Sequence, residues 1–190
     1  ERLSAEDEPY HREPITYEAP YLDNLPTAPR EKFAANIAAI QKLKEIEQRV
    51  ANGGSPAFED EQKILAQYTG WGGLSDAFDP NKSAWSNEYS QLKAALSESE
   101  YEAARSSTLT AFYTPATVIH PIYRALERFG VKGGKILEPS MGTGAFLAHG
   151  HFGSSDAKFY GVELDSITGR ISKQLYQKAN IQVTGYENAL

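Results

Sequence analysis

The sequence has no cysteine, which excludes disulfides and thiolate metal sites. It has no run approaching the roughly 20 apolar residues that cross a bilayer. Its acidic, proline-bearing start does not read as a secretory signal. Positive charge is in short supply too: 19 Lys and Arg stand against 25 Asp and Glu, a net charge of −6. A protein that grips DNA by itself carries a basic face that displaces counterions from phosphates, and none is visible along this sequence. Internal repeats and low-complexity tracts are absent. These absences describe an intracellular, cytoplasmic chain with no membrane partner. A DNA-binding surface would have to form in three dimensions or come from other parts of a longer protein, and the second is favoured.

What is present is ordinary globular material, with 41% hydrophobic and 23% charged residues over 190 positions. That is room for one domain with an appendage. Residues 1–29 read as an extended proline-rich arm, because Pro9, Pro14, Pro20, Pro26 and Pro29 recur too often for a helix or a central strand. Tyr10, Tyr17, Tyr21 and Leu22 could fix such an arm to a neighbouring surface; otherwise it is a disordered linker.

Residues 30–108 read as a helical region. Phe33, Ile37, Ile40, Leu43, Ile46 and Val50 share one face of a helix that Asn52-Gly53-Gly54 closes. Ser55-Pro56 then looks like the cap and first turn of a helix that carries Ile64, Leu65 and Tyr68 inward. Tyr68-Thr69-Gly70-Trp71-Gly72-Gly73-Leu74 breaks it. Further helices are expected at about Asn87–Leu96 and from Ser97, which forms a capping box with Glu100.

Residues 109–190 change texture to alternating helices and short apolar strands. Strands are expected near 135–138, 159–163 and 181–184, with helices starting at Ala145 and running through Ile167, Ile171 and Leu175. Such alternation implies crossovers and a parallel sheet, an α/β fold.

The strongest feature is Leu137-Glu138-Pro139-Ser140-Met141-Gly142-Thr143-Gly144-Ala145-Phe146-Leu147. It falls where a strand turns into a helix, at the edge of a parallel sheet where ligands bind. Gly142 and Gly144 would let backbone approach a ligand, and Glu138 could take a ligand ammonium. Two phosphate loops are excluded. A dinucleotide fingerprint wants Gly or Ala where Leu147 stands, and a nucleoside-triphosphate loop finds only Gly130 to Lys135, at the wrong spacing and followed by Ile136.

The second feature, Gly161-Val162-Glu163-Leu164-Asp165, puts an acid 19 positions after Gly144, close to the spacing of roughly 20 at which a carboxylate meets ribose hydroxyls. The third, Phe112-Tyr113-Thr114-Pro115, reads structurally as an N-cap at Thr114 and a first helical residue at Pro115. Pro121 should kink the helix that follows or delay its start to His120. His149 and His151 share a spacing seen in metal sites but have no third ligand nearby, so no metal is expected. Trp71 could stack a base, or anchor the helical region onto the sheet.

In this order and spacing, the three motifs resemble the cofactor half of adenine-specific DNA methyltransferases with a Thr-Pro element ahead of the fold. More closely, the stretch from about Leu65 onward resembles the methylase region of large helicase–methylase proteins of phages and conjugative elements, with YTGWGGLSDAF as a shared segment. The resemblance implies a partial Rossmann-like S-adenosylmethionine-dependent methyltransferase fold over 109–190. Glu138, Pro139, Gly142 and Gly144 would lie at the methionine end of the cofactor, with Tyr113 and Thr114 beside it. Glu163 would hold the ribose, and Glu187 is the best match for the acid that meets the adenine amine.

Enzymes of this kind place a [DNS]PP[YFW] motif after the fourth strand to hold a flipped adenine. The 190 residues contain none, Asp79-Pro80-Asn81 lying ahead of the fold and lacking the second proline. The resemblance therefore implies a fragment of a DNA adenine methyltransferase without its catalytic residues. Two alternatives stand beside it. One is a non-catalytic methylase-like module that binds DNA or protein; the other is a methyltransferase acting on RNA or protein.

Overall fold

The computed structural model describes residues 13–17, 25–150 and 157–189. The expectations placed on Pro9, Tyr10, Pro20, Tyr21, Leu22 and His151 lie outside them.

Helix α1 (Pro29–Ala51) opens on the proline whose missing N–H costs nothing in a first turn. It buries Phe33, Ile37, Ile40, Leu43 and Ile46, while Val50 is 41% exposed at its frayed end. Asn52 caps it and Gly53 follows in the left-handed conformation. Helix α2 (Glu59–Leu65) starts later than Ser55-Pro56 suggests. The carbonyls of Ser55 and Pro56 are taken by the Arg49 guanidinium, at 3.0 and 3.3 Å, and the Ala57 N–H by Gln174 Oε1. These backbone groups serve tertiary contacts, so the helix begins where Glu61 Oε2 accepts from the Phe58 N–H at 2.9 Å. Leu65 and Tyr68 are buried, whereas Ile64 is largely exposed, and Tyr68 lies beyond the helix end.

Helices α3 (Ser86–Ala95) and α4 (Glu98–Ser107) follow. The expected capping box is formed: Ser97 Oγ accepts from the Glu100 N–H, and the Glu100 carboxylate accepts from the Ser97 N–H at 2.8 Å. Helix α5 (Ala116–Arg128) begins one residue later than expected. Pro115, not Thr114, is the extended capping residue, and no side chain caps the turn. Pro121 neither delays nor ends α5. Pro121 and Thr117 are exposed, so the carbonyl that loses its partner faces water.

Strands β1 (Lys135–Glu138), β2 (Lys158–Glu163) and β3 (Asn180–Val183) form one parallel sheet in that order. Helix α6 (Ala145–His149) connects β1 to β2, and α7 (Ser166–Leu175) connects β2 to β3. The chain is thus a mixed α/β protein with a small parallel sheet.

An apolar core joins the N-terminal helices to α7 and the sheet, and a second, smaller cluster packs Ile119 and Tyr123 of α5 against Ile136 and Phe159 of the sheet. The larger core runs from Phe33, Ile40 and Leu43 of α1 through Leu65, Tyr68 and Trp71 to Ile167, Ile171 and Leu175 of α7. Polar contacts reinforce the seam. Gln62 Nε2 donates to the Gln174 and Leu175 carbonyls, and Arg170 pairs with Glu100 at 2.6 Å and Glu47 at 3.4 Å. Tyr17 of the arm is buried, its N–H donating to the Leu175 carbonyl at 2.7 Å, and Thr16 bridges Tyr176 antiparallel. Among the described residues no helix is long and apolar enough to cross a membrane.

Candidate functional site

The three sequence motifs meet at the C-terminal edge of the sheet. The turn after β1 carries Gly142 and Gly144, with φ of 55° and 82°. That backbone region is open to glycine and costly for other residues. Neither glycine leaves empty space at its α-carbon, however. A Cβ at Gly142 would stand 2.8 Å from the Tyr113 ring, and one at Gly144 would overlap the Tyr176 ring. The close approach that requires glycine here is to two tyrosines of the chain itself.

Glu163, at the end of β2, holds this turn. Its Oε2 accepts from the Gly142 N–H and its Oε1 from the Asp165 N–H, both at 2.8 Å. Burial pushes the carboxyl above the usual glutamate range, and the hydrogen bonds from Asp165 and Gly142 partly offset this. The Leu164 N–H is a third backbone donor to this carboxylate, which keeps room for one further donor. Asp165 is the cap of α7, accepting from the Thr168 N–H at 2.7 Å and the Thr168 hydroxyl at 2.6 Å.

Tyr113 joins the two halves of the site. Its ring lies between Gly142 and Gly70, and a Cβ at Gly70 would stand 2.8 Å from its hydroxyl. The hydroxyls of Tyr113 and Tyr68 both reach the Thr168 side chain, and burial raises both well above the usual tyrosine range. The loop that carries Gly70 is pinned from below by Asn36, which is fully buried on the apolar face of α1. Its Nδ2 donates to the Gly70 carbonyl at 2.7 Å and its Oδ1 accepts from the Thr69 N–H at 2.8 Å. Lys32 Nζ donates to the Gly72 carbonyl at 2.7 Å.

A cavity of about 480 Å³ opens between these parts. Tyr113, Gly142 and Glu163 line it, with Tyr68, Trp71 and Thr168 from the flanking segments. Its wall is rich in hydroxyls, from Ser106, Ser107, Thr110 and Ser140, and its apolar members Phe112 and Leu164 are 68% and 78% exposed. The volume lies within the range of small-molecule sites. Trp71 is buried among Phe33, Tyr68 and Phe78, and its indole N–H has no partner among the described residues. Packing, rather than stacking of an external base, occupies that ring.

The other residues singled out in the sequence lie outside the lining. Thr114 and Pro139 are exposed, and Gly144 faces Tyr176. Glu138 is half-buried; burial raises its carboxyl above the ordinary range, offset in part by the Ser140 N–H. Glu187 is exposed after β3, with its carboxylate accepting from Asn188 Nδ2 at 3.1 Å. Sequence reasoning missed Asn36, Tyr68 and Thr168. Asn36 had a readable signal, since a lone amide three residues after Phe33 stands in an apolar stripe.

His149 pairs with His120, ring nitrogen to ring nitrogen at 3.1 Å. No group of three metal-ligating side chains occurs among the described residues.

The fold and its site thus define a mixed α/β protein with a cavity at the C-terminal edge of a parallel sheet. No family model and no solved structure matches the chain. It is similar to Defense against restriction protein B of Escherichia phage P1, with 26% identity over 177 residues. That match covers 93% of this chain but spans only 6% of the phage protein.

Proposed function

We propose that this chain is the S-adenosylmethionine-binding part of a Rossmann-like DNA adenine methyltransferase. The observation that carries the reading is the convergence of Tyr113, Gly142 and Glu163, from three motifs far apart in sequence, on one cavity. The residues fit such a ligand. Glu163 keeps acceptor capacity for a ribose hydroxyl, the hydroxyl-rich wall suits a polar cofactor, and the Trp71 indole N–H has no partner among the described residues. When bound, the cofactor supplies an activated methyl group on a sulfonium centre. The chain's own contribution is to orient it, with Glu163 on the ribose and the glycine turn fixed by that same carboxylate. Glu138, at the neighbouring strand tip, and Glu187 stand outside the lining and would meet the methionine ammonium and the adenine only where the ligand extends past the cavity. DNA is the expected partner of the longer protein.

Calorimetric titration of the chain with S-adenosylmethionine and its demethylated product tests this. Glu163→Ala removes two charge-assisted hydrogen bonds, each worth roughly 1.5–3 kcal/mol. Affinity should fall at least about ten-fold, with circular dichroism confirming the fold. Absence of binding by the parent chain would overturn the reading.

A second reading is favoured by the similarity to a phage protein named for defence against restriction. Here the chain is a methylase-like module of a mobile-element protein that binds DNA or protein without turnover. Cofactor binding by the chain separates the first reading from this one.

A further inference from the structure

The N-terminal edge of the sheet carries the charge that the chain as a whole lacks. Helix α5 ends at Arg128, and the chain returns to β1 through Gly130-Val131-Lys132-Gly133-Gly134-Lys135. Between 124 and 135 stand four cations, Arg124, Arg128, Lys132 and Lys135, against the single acid Glu127, in a chain of net charge −6. The parallel register then sets Lys158 directly across from Lys135, and the Lys158 N–H donates to the Gly134 carbonyl at 2.8 Å. Loop and strand are therefore one surface.

Like charges facing one another on adjacent strands repel. Arg128, Lys135 and Lys158 are all exposed, and none enters an ion pair among the described residues. Arg128 complements the C-terminal end of the α5 dipole; Lys135 of β1 and Lys158 of β2 have no such role. Two acids of this α/β unit, Glu138 and Glu163, end their strands at the opposite edge.

An aromatic ring stands among these cations. Phe129 is 84% exposed, more than any other large hydrophobic residue described. Gly130 and Gly134 beside it have no atom within 4 Å of where a Cβ would stand, so a strand of phosphates can approach the loop backbone.

We propose that this edge binds single-stranded nucleic acid, with Arg128, Lys135 and Lys158 on phosphates and Phe129 stacked on a base. A base offers its face only when unpaired, and aromatic stacking within a cationic groove is how single strands are held without sequence preference. The site lies at the edge opposite the cavity and does not rest on the cofactor reading.

Fluorescence anisotropy of a labelled oligothymidylate, titrated with the 190-residue chain at several salt concentrations, tests it. Binding should weaken with salt. The pair Lys135→Gln and Lys158→Gln should reduce the log–log salt slope by about 1.4, at roughly 0.7 per phosphate contact. Phe129→Ala should weaken binding about five-fold or more with the slope unchanged. Neutralising Lys63 on α2 should change neither. These positions are exposed, so folding is retained and circular dichroism verifies it. The proposal is overturned if the oligonucleotide fails to bind at low salt, or if binding ignores these substitutions. It is also overturned if duplex DNA binds as well and Phe129→Ala is neutral. Capture by phosphatidylserine vesicles but not by the oligonucleotide, lost in the lysine pair, would assign the edge to a lipid surface instead.

Discussion

Glu163 Oε2 accepts a hydrogen bond from the Gly142 N–H at 2.8 Å, so the end of β2 holds the turn that follows β1. The same carboxylate that would meet a ligand is therefore structural in its absence. Glu163→Ala leaves the Gly142 and Asp165 N–H groups without their acceptor. Unfolding in urea should show a loss of about 1–3 kcal/mol in ligand-free protein. An unchanged stability would mean that the turn holds its own shape.

The glycines of this turn are expected to matter for folding before they matter for binding. Gly142→Ala must adopt a left-handed backbone, costing roughly 1–2 kcal/mol, and must push aside the Tyr113 ring. Gly144→Ala meets the Tyr176 ring, which is itself buried and anchored by the arm through Thr16, so it should destabilise more. Thermal melts of both variants check the order. A Gly144 variant with wild-type stability and impaired ligand binding would restore the simpler view that this glycine only clears space for ligand.

The Arg49–Glu61 pair should make stability pH-dependent. Two guanidinium hydrogen bonds, at 2.8 and 2.6 Å, join α1 to α2, and the Arg49 hydrogen bond holds the Glu61 carboxyl below its usual range. A lowered native pKa means that the pair stabilises the fold above the unfolded value of about 4.3, and that this is lost as pH falls through the lower native value. Arg49→Met should cost about 1.5–3 kcal/mol near neutrality. The gap between wild type and variant should narrow on acidification below about pH 4. A gap independent of pH would assign the effect to the Ser55 and Pro56 carbonyls that Arg49 also serves.

Much of the frame was legible in the sequence. The β1 strand and the Ser97–Glu100 box fall where local chemistry put them, because each depends on residues close in the chain. The helix after Ser55-Pro56 was misplaced because its backbone is claimed by Arg49 and Gln174, the latter 117 positions away from Ala57. The roles of the glycines were half legible. A turn requiring glycine could be read, but the tyrosines against it arrive from positions 113 and 176. The basic edge was half legible, since the cations of 124–135 are contiguous in sequence but Lys158 joins them only through sheet register.

Asn36 is a sharper case, since one side chain holds the backbone of Thr69 and Gly70. It is fully buried, and both ends of its amide are bonded to backbone groups of Thr69 and Gly70. Asn36→Leu would keep the apolar character of the α1 stripe but leave a buried N–H and a buried carbonyl unpaired, at about 1–3 kcal/mol each. Denaturant titration should therefore show a loss of at least about 2 kcal/mol, roughly 1 kcal/mol from each group. A neutral Asn36→Leu would mean that water reaches those groups.

Tyr113 touches the helical region and the glycine turn at once. If its ring is the contact that registers Gly70 against Gly142, removing the hydroxyl and removing the ring should have different consequences. Tyr113→Phe loses the contact with the Thr168 side chain, a net cost of about 1 kcal/mol, and keeps the ring between the glycines. Tyr113→Ala empties that space and should cost about 3 kcal/mol or more, in the range of large-to-small substitutions of buried aromatics. Ligand affinity should follow the same order, because the glycine turn loses a wall only in the alanine variant. Hydrogen exchange localises the effect: the Gly142 N–H, protected by Glu163, should exchange faster in Tyr113→Ala and stay protected in Tyr113→Phe. Equal exchange in the two variants would show that Glu163 alone fixes the turn and that Tyr113 is merely its neighbour.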